Sequence, residues 1–92
     1  MKFIYPVVLT PAAEGGYDAA FPDLEGCLAF GATLDEALEK AQEAANDWIT
    51  VELSEEVPDM PPVSELSDLT LEAGQIARNI MVTIRLFDGW DE

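Results

Sequence analysis

The chain contains no histidine. That removes the commonest general base near neutral pH and the commonest transition-metal ligand. It contains one cysteine, Cys27, so no intramolecular disulfide can form. A lone thiol fits a reducing compartment, and a cytoplasmic protein is expected. Basic residues are scarce: four Lys and Arg stand against nineteen Asp and Glu, for a net charge of −15. Nucleic-acid phosphate and anionic lipid are bound by neutralising their charge with cations, so a surface this acidic repels both. No direct nucleic-acid binding is expected from this chain alone. No apolar run approaches the roughly 20 residues of a membrane span. The opening "MKFIYPVVLT" lacks a small-residue cleavage site and is interrupted by Pro6, so it reads as structure rather than as a signal peptide. There is no basic, glycine-rich phosphate loop.

What is present fits one small folded domain. The chain has 92 residues and is 49% apolar, which suits a globule rather than an acidic disordered tail. A core this small gains from oligomerisation.

Residues 2 to 9 read as a first strand, with Phe3, Tyr5, Val7 and Leu9 on one face and Ile4 and Val8 on the other. Both faces are apolar, as in a strand covered on two sides. Gly15-Gly16 signals a hairpin. Tyr17, Ala19 and Phe21 then alternate with Asp18 and Ala20 as a second strand, which Pro22 ends. "DLEG" makes a turn, and Cys27 to Phe30 is a short third strand. "TLDE" is a capping box, in which Thr33 and Glu36 exchange side-chain to backbone hydrogen bonds. Leu34, Ala37, Leu38, Ala41, Ala45, Trp48 and Ile49 then form one apolar stripe, predicting a helix to about Leu53. Its alanines imply close approach to a sheet. Pro58, Pro61 and Pro62 demand an extended segment. "LSDLTLEAGQIARN" reads as loop with a short turn, and "IMVTIRLF", residues 80 to 87, as a fourth strand. The fold class is α+β, in the order β-β-β-α-β with a three-stranded antiparallel meander.

Candidate chemistry is sparse. Cys27 has no histidine or cation nearby to activate it, and Glu25 would raise its pKa; free cysteine is usually a buried packing residue. Asp35 and Glu36 at a helix start are accounted for by the macrodipole. Two-metal catalysis needs several converging carboxylates, and the first strand carries none. The "DMPPVSELSD" stretch lacks the ligand alternation and glycine of a calcium loop. These observations predict neither an enzyme nor a cofactor or metal site. Trp48 belongs to the helix stripe and reads as core. Trp90 lies among Asp88, Asp91 and Glu92, where it either anchors an interface or folds back over the sheet edge.

The stretch "YPVVLTPAAEGGYDAAFPDLEGCLAFGATLDEALEKAQEAANDWI" resembles the N-terminal domain of HicB-type antitoxins. It shares the Tyr-Pro strand, the Gly-Gly-Tyr hairpin, Phe-Pro-Asp-Leu-x-Gly-Cys, and Gly-x-Thr-x-x-Glu-Ala opening a helix. The Pro-rich segment and last strand match as well, so the resemblance covers essentially the whole chain. It implies a partial, degenerate RNase H-like fold. It also implies a partner, a small basic mRNA-cleaving HicA-type toxin with a double-stranded-RNA-binding-like fold and a catalytic histidine. Longer members append a ribbon-helix-helix or helix-turn-helix domain. Here a single HicB-like domain over residues 1–92 is expected, without a separate DNA-binding domain.

The implied role is the antitoxin of a type II toxin-antitoxin pair. The alternative is a solitary, oligomeric HicB-like domain with another protein partner or a regulatory role. Asp18, Asp23, Glu25 and Asp88, at strand ends and turns, are the candidate partner contacts, with Trp90 as an apolar anchor. A homo-oligomer, dimer or tetramer, is expected through the last strand, with Val82, Ile84 and Leu86 at the interface.

Overall fold

A computed structural model of the chain describes residues 2–55 and 60–84. Its elements are β1 (Lys2–Pro11), β2 (Tyr17–Ala20), β3 (Leu28–Gly31), α1 (Leu34–Leu53), one turn of 3-10 helix (Leu66–Asp68) and β4 (Ile76–Thr83). The four strands form one sheet in the order β3-β2-β1-β4, and every neighbouring pair is antiparallel. The expected meander is present, and the last strand joins it on the free side of β1. The α+β class follows, and the arrangement is compatible with a partial RNase H-like fold.

The helix lies on one face of the sheet. Ala37, Ala41, Ala45 and Ile49 are buried against Tyr5, Val7, Leu9, Ala19, Ile80 and Val82. Small helical side chains let the two layers approach closely, and the closest approach is at Gly31. A Cβ there would stand 2.2 Å from the Ala37 nitrogen and 2.5 Å from its Cα. Gly16 is the second constrained glycine. It has φ of +82°, and a Cβ on it would meet the Gly31 carbonyl at 2.6 Å and the Phe30 ring at 2.8 Å. The Thr33 half of the expected capping box forms, while Glu36 reaches back one residue further than expected, to Ala32 rather than Thr33. Thr33 Oγ1 accepts from the Glu36 N–H at 3.1 Å, and Glu36 Oε1 accepts from the Ala32 N–H at 2.8 Å.

The other face of β1 is only partly covered. Pro6 is fully buried, Val8 half-buried and Ile4 exposed, so the expectation of a strand covered on both sides holds only in its middle. Pro6 is tolerated for a reason of register. Gln42 Nε2 donates to the Met81 carbonyl at the outer edge of β4, so Met81 turns its backbone away from β1. Met81 lies opposite Ile4 and Asn79 opposite Pro6. By alternation, Pro6 turns its missing N–H toward the β2 side, where β2 has already ended at Ala20, opposite Val8.

β4 begins four residues earlier than the sequence predicts. Gly74, with φ of +88°, and the Gln75 N–H to Glu72 carbonyl bond (3.0 Å) reverse the chain, so pairing with β1 starts at Ile76 opposite Leu9. Arg78 and Asn79 hide this half of the strand in the sequence, because edge-strand side chains need not be apolar. Residues 85–87 of the expected strand lie outside the described residues. The single 3-10 turn is the short turn expected in the preceding loop.

Candidate protein-binding surface

The "FPDLEGC" stretch, residues 21 to 27, is a turn that plugs itself into the core. Leu24 N–H donates to the Phe21 carbonyl (3.2 Å), Cys27 N–H to the Leu24 carbonyl (3.0 Å) and Phe21 N–H to the Cys27 carbonyl (3.3 Å). Phe21, Leu24 and Cys27 are buried, and Gly26 takes the positive φ that the reversal requires. Cys27 is packed rather than poised. Burial pushes its thiol pKa up, and the charge of Asp47 pushes it further. Asp47 on the helix thus takes the part the sequence assigned to Glu25.

The candidate contact residues are not gathered in one place. Asp18 is exposed on the sheet face away from the helix, between Thr10 and Phe30. Asp23 is occupied within the fold: its carboxylate accepts from both the N–H and the Oγ of Ser64, each at 2.7 Å. With the Tyr5 hydroxyl donating to the Pro61 carbonyl at 2.6 Å, it straps the segment after the proline run to the sheet. Burial, and then the charge of Asp23, raise the Tyr5 pKa. Glu25 is exposed, and its backbone carbonyl accepts from the Trp48 indole N–H at 2.9 Å. Val82 and Ile84 are buried at 2% and 3% exposure, so their side chains pack in the core and an edge interface at this strand would be made through its backbone. Leu86, Asp88 and Trp90 lie outside the described residues. Among the described residues, no three His, Cys, Asp or Glu side chains converge as a metal site, and no helix is long and apolar enough to cross a membrane.

A different feature stands out beside Trp48. An open cleft of about 480 Å³ lies between the start of β3 and the C-terminal half of α1. Its apolar lining includes Leu28, Trp48 and Val51 over the buried Cys27, and its acidic lining is Asp47 and Glu52. Leu28 and Val51 are 68% and 63% exposed, the two most exposed large apolar side chains described. The sequence stripe placed Trp48 in the core; the structure leaves it half-buried, with the indole fixed to Glu25 as a wall of this cleft. The sequence reasoning missed Leu28 and Val51. The available signal was a second helical line, Ala44, Trp48 and Val51 at spacings of four and three, beside the main stripe. A second cleft, of about 540 Å³, lies between Lys2, Ile4 and residues 63–67.

Comparison with known proteins places this geometry. Residues 5–88 match the family model described as HicB_like antitoxin of bacterial toxin-antitoxin system. The chain is 49% identical to the UPF0150 protein ssl0259 of Synechocystis over 45 residues, which are 49% of this chain and 62% of that protein. It is 52% identical to antitoxin HicB of Escherichia coli K12 over 40 residues, 44% of this chain and 29% of that one. The chain therefore spans less than two thirds of either relative. Among solved structures, a toxin-antitoxin complex from Streptococcus pneumoniae aligns with a TM-score of 0.74 at 22% identity, over 90% of this chain and 70% of that chain. A HicA3 and HicB3 toxin-antitoxin complex aligns with a TM-score of 0.64 at 26% identity, over 89% of this chain and 100% of that chain. With four in five of its residues or more inside the family's span and the same sheet-and-helix fold, the chain belongs to the family of HicB-like antitoxins of bacterial toxin-antitoxin systems.

Proposed function

We propose that this chain is the antitoxin of a type II toxin-antitoxin pair and that it binds and neutralises a small, basic, mRNA-cleaving HicA-type toxin in the cytoplasm. The match to the antitoxin family over residues 5–88 carries the reading. The charge balance supplies a mechanism. A ribonuclease must present cations to hold RNA phosphate, and a chain with a net charge of −15 can occupy the same surface. The chain works by binding and is not itself an enzyme. Asp18 and Glu25, which are exposed, remain candidate contacts on this reading, as do Asp88 and Trp90; Asp23 acts chiefly by holding Ser64.

The test is co-expression with the product of the adjacent reading frame, reading growth and co-purification. Rescue of growth together with a stable complex is the expected result. A toxic neighbour that this chain neither binds nor silences would leave the solitary, oligomeric domain as the better reading.

A further inference from the structure

We propose that the cleft between β3 and the C-terminal half of α1 is the docking site for a basic amphipathic segment of the protein partner, one that inserts an apolar side chain between Leu28, Trp48 and Val51 with Lys or Arg flanking it. This rests on the reading of the chain as a binder of a basic protein and names the surface that does the binding.

Three observations converge. The first is the apolar floor. Leu28 and Val51 expose most of their surface on either side of a half-buried Trp48, in a depression rather than singly on a convex surface. Aromatic residues in such pockets dominate binding energy, and Trp48 enters the pocket with its orientation already fixed by the Glu25 carbonyl.

The second is the charge of the rim. Asp47 and Glu52 line the cleft, and none of the described Lys or Arg does.

The third is the placement of those carboxylates. The C-terminal end of a helix carries the negative pole of its dipole, where cations stabilise and anions destabilise. The last turn of α1 has no basic residue and contains Glu52, with Glu55 following the helix. The arrangement works against the isolated helix and deepens the negative potential at the mouth of an apolar cleft. That potential favours a cationic ligand over an anionic one. Local rules broken in this way are expected at functional sites. A second copy of this chain would bring acid to acid, and nucleic acid or an anionic lipid surface would be repelled.

The experiment uses the full chain with two partners, the adjacent-frame protein and a synthetic 14-residue Leu/Lys amphipathic helix, with a Leu/Glu helix as control. Nitrogen-proton and methyl NMR follow the Trp48 indole and the Leu28 and Val51 signals, assigned with W48F, L28A and V51A. The Leu/Lys peptide is expected to move all three, and the control none. Leu28→Ser with Val51→Ser should weaken both partners by about tenfold or more, as for paired interface anchors. Asp47→Asn with Glu52→Gln should weaken both at low salt and lose its effect at high salt. Circular dichroism and melting of each variant establish that it is folded, which the exposure of the substituted side chains favours.

If the neighbouring protein binds the wild-type chain and the Leu28/Val51 variant equally, the surface proposal fails while the antitoxin reading stands. If the neighbour does not bind at all, the antitoxin reading fails. The peptide then decides the surface alone, and unmoved Trp48, Leu28 and Val51 signals overturn it. Shifts of these signals with protein concentration, alongside a dimer by light scattering, would make the cleft a self-association surface and overturn the proposal as well.

Discussion

At the scale of single residues, the constraint is tightest at Gly31. Its missing Cβ is the space into which the first turn of α1 fits, and the atoms it would strike are backbone, at 2.2 to 2.6 Å. Backbone cannot rotate away as a flexible side chain can. Gly31→Ala should therefore destabilise by more than the roughly 1–3 kcal/mol typical of overpacking, read as a fall in the urea midpoint. A loss no larger than that of Ala13→Gly, an exposed loop change, would show that the helix simply shifts. Cys27 and Tyr5 couple stability to alkaline pH. Their ordinary pKa values are 9.0 and 10.0, and burial raises both in the native state. The native fold then keeps protons that the unfolded chain releases. The stability these groups contribute is complete below pH 9 and falls as the pH climbs past 9 and 10 toward their raised native values. Urea midpoints between pH 8 and 11 should decline, and Cys27→Ala with Tyr5→Phe should flatten the decline. An unchanged slope would place its origin in other groups. For the same reason iodoacetamide should label Cys27 slowly in buffer and readily in denaturant.

At the scale of elements, β4 is the piece whose pairing is unfinished. Among the described residues it is an edge strand, and by alternation Ala77, Asn79 and Thr83 point their backbone groups outward as Met81 does; Gln42 donates to the Met81 carbonyl and the Arg78 guanidinium to the Ala77 carbonyl. Open edges are templates for pairing, so a homodimer or larger oligomer is expected at micromolar concentration. The decisive variant is at the backbone. Asn79→Pro removes an outward N–H and leaves the ladder to β1 intact, whereas Lys at Val82 or Ile84 would charge the core. Light scattering should report an oligomer for the wild-type chain and a smaller species for Asn79→Pro; a wild-type monomer would sink the idea. What the sequence made legible follows from period and punctuation. The helix was readable because its capping box marks the start and its apolar stripe carries the pattern toward Leu53. The hairpin was readable because Gly15 and Gly16 both take positive φ. The first half of β4 was not, since Arg78 and Asn79 at an edge carry no alternation. The cleft was not either, because Leu28 and Val51 come from separate elements and only tertiary packing makes them neighbours.

At the scale of the whole molecule, the governing quantity is the net charge of −15 on a body with a radius of gyration of 13.9 Å. Carboxylates dominate the surface, and no buried charged group absorbs any of the excess among the described residues. The screening length is about 30 Å at 0.01 M salt, longer than this radius, so every acidic group then feels the others; at about 8 Å, near physiological salt, only close neighbours interact. Self-repulsion favours the expanded chain, because unfolding moves like charges apart. Added salt should therefore raise the urea midpoint steadily between 0.01 and 0.5 M. Association with a basic partner should respond in the opposite sense. Its on-rate is gained from long-range attraction and should fall over the same range, while the off-rate, set by Trp48, Leu28 and Val51 in the cleft, changes little. Denaturation series and stopped-flow mixing read the two effects on one sample. If the midpoint is flat in salt, the acidic groups are already neutralised by bound cations. If the on-rate is flat as well, charge does not steer this protein to its partner, and the apolar cleft must account for recognition alone.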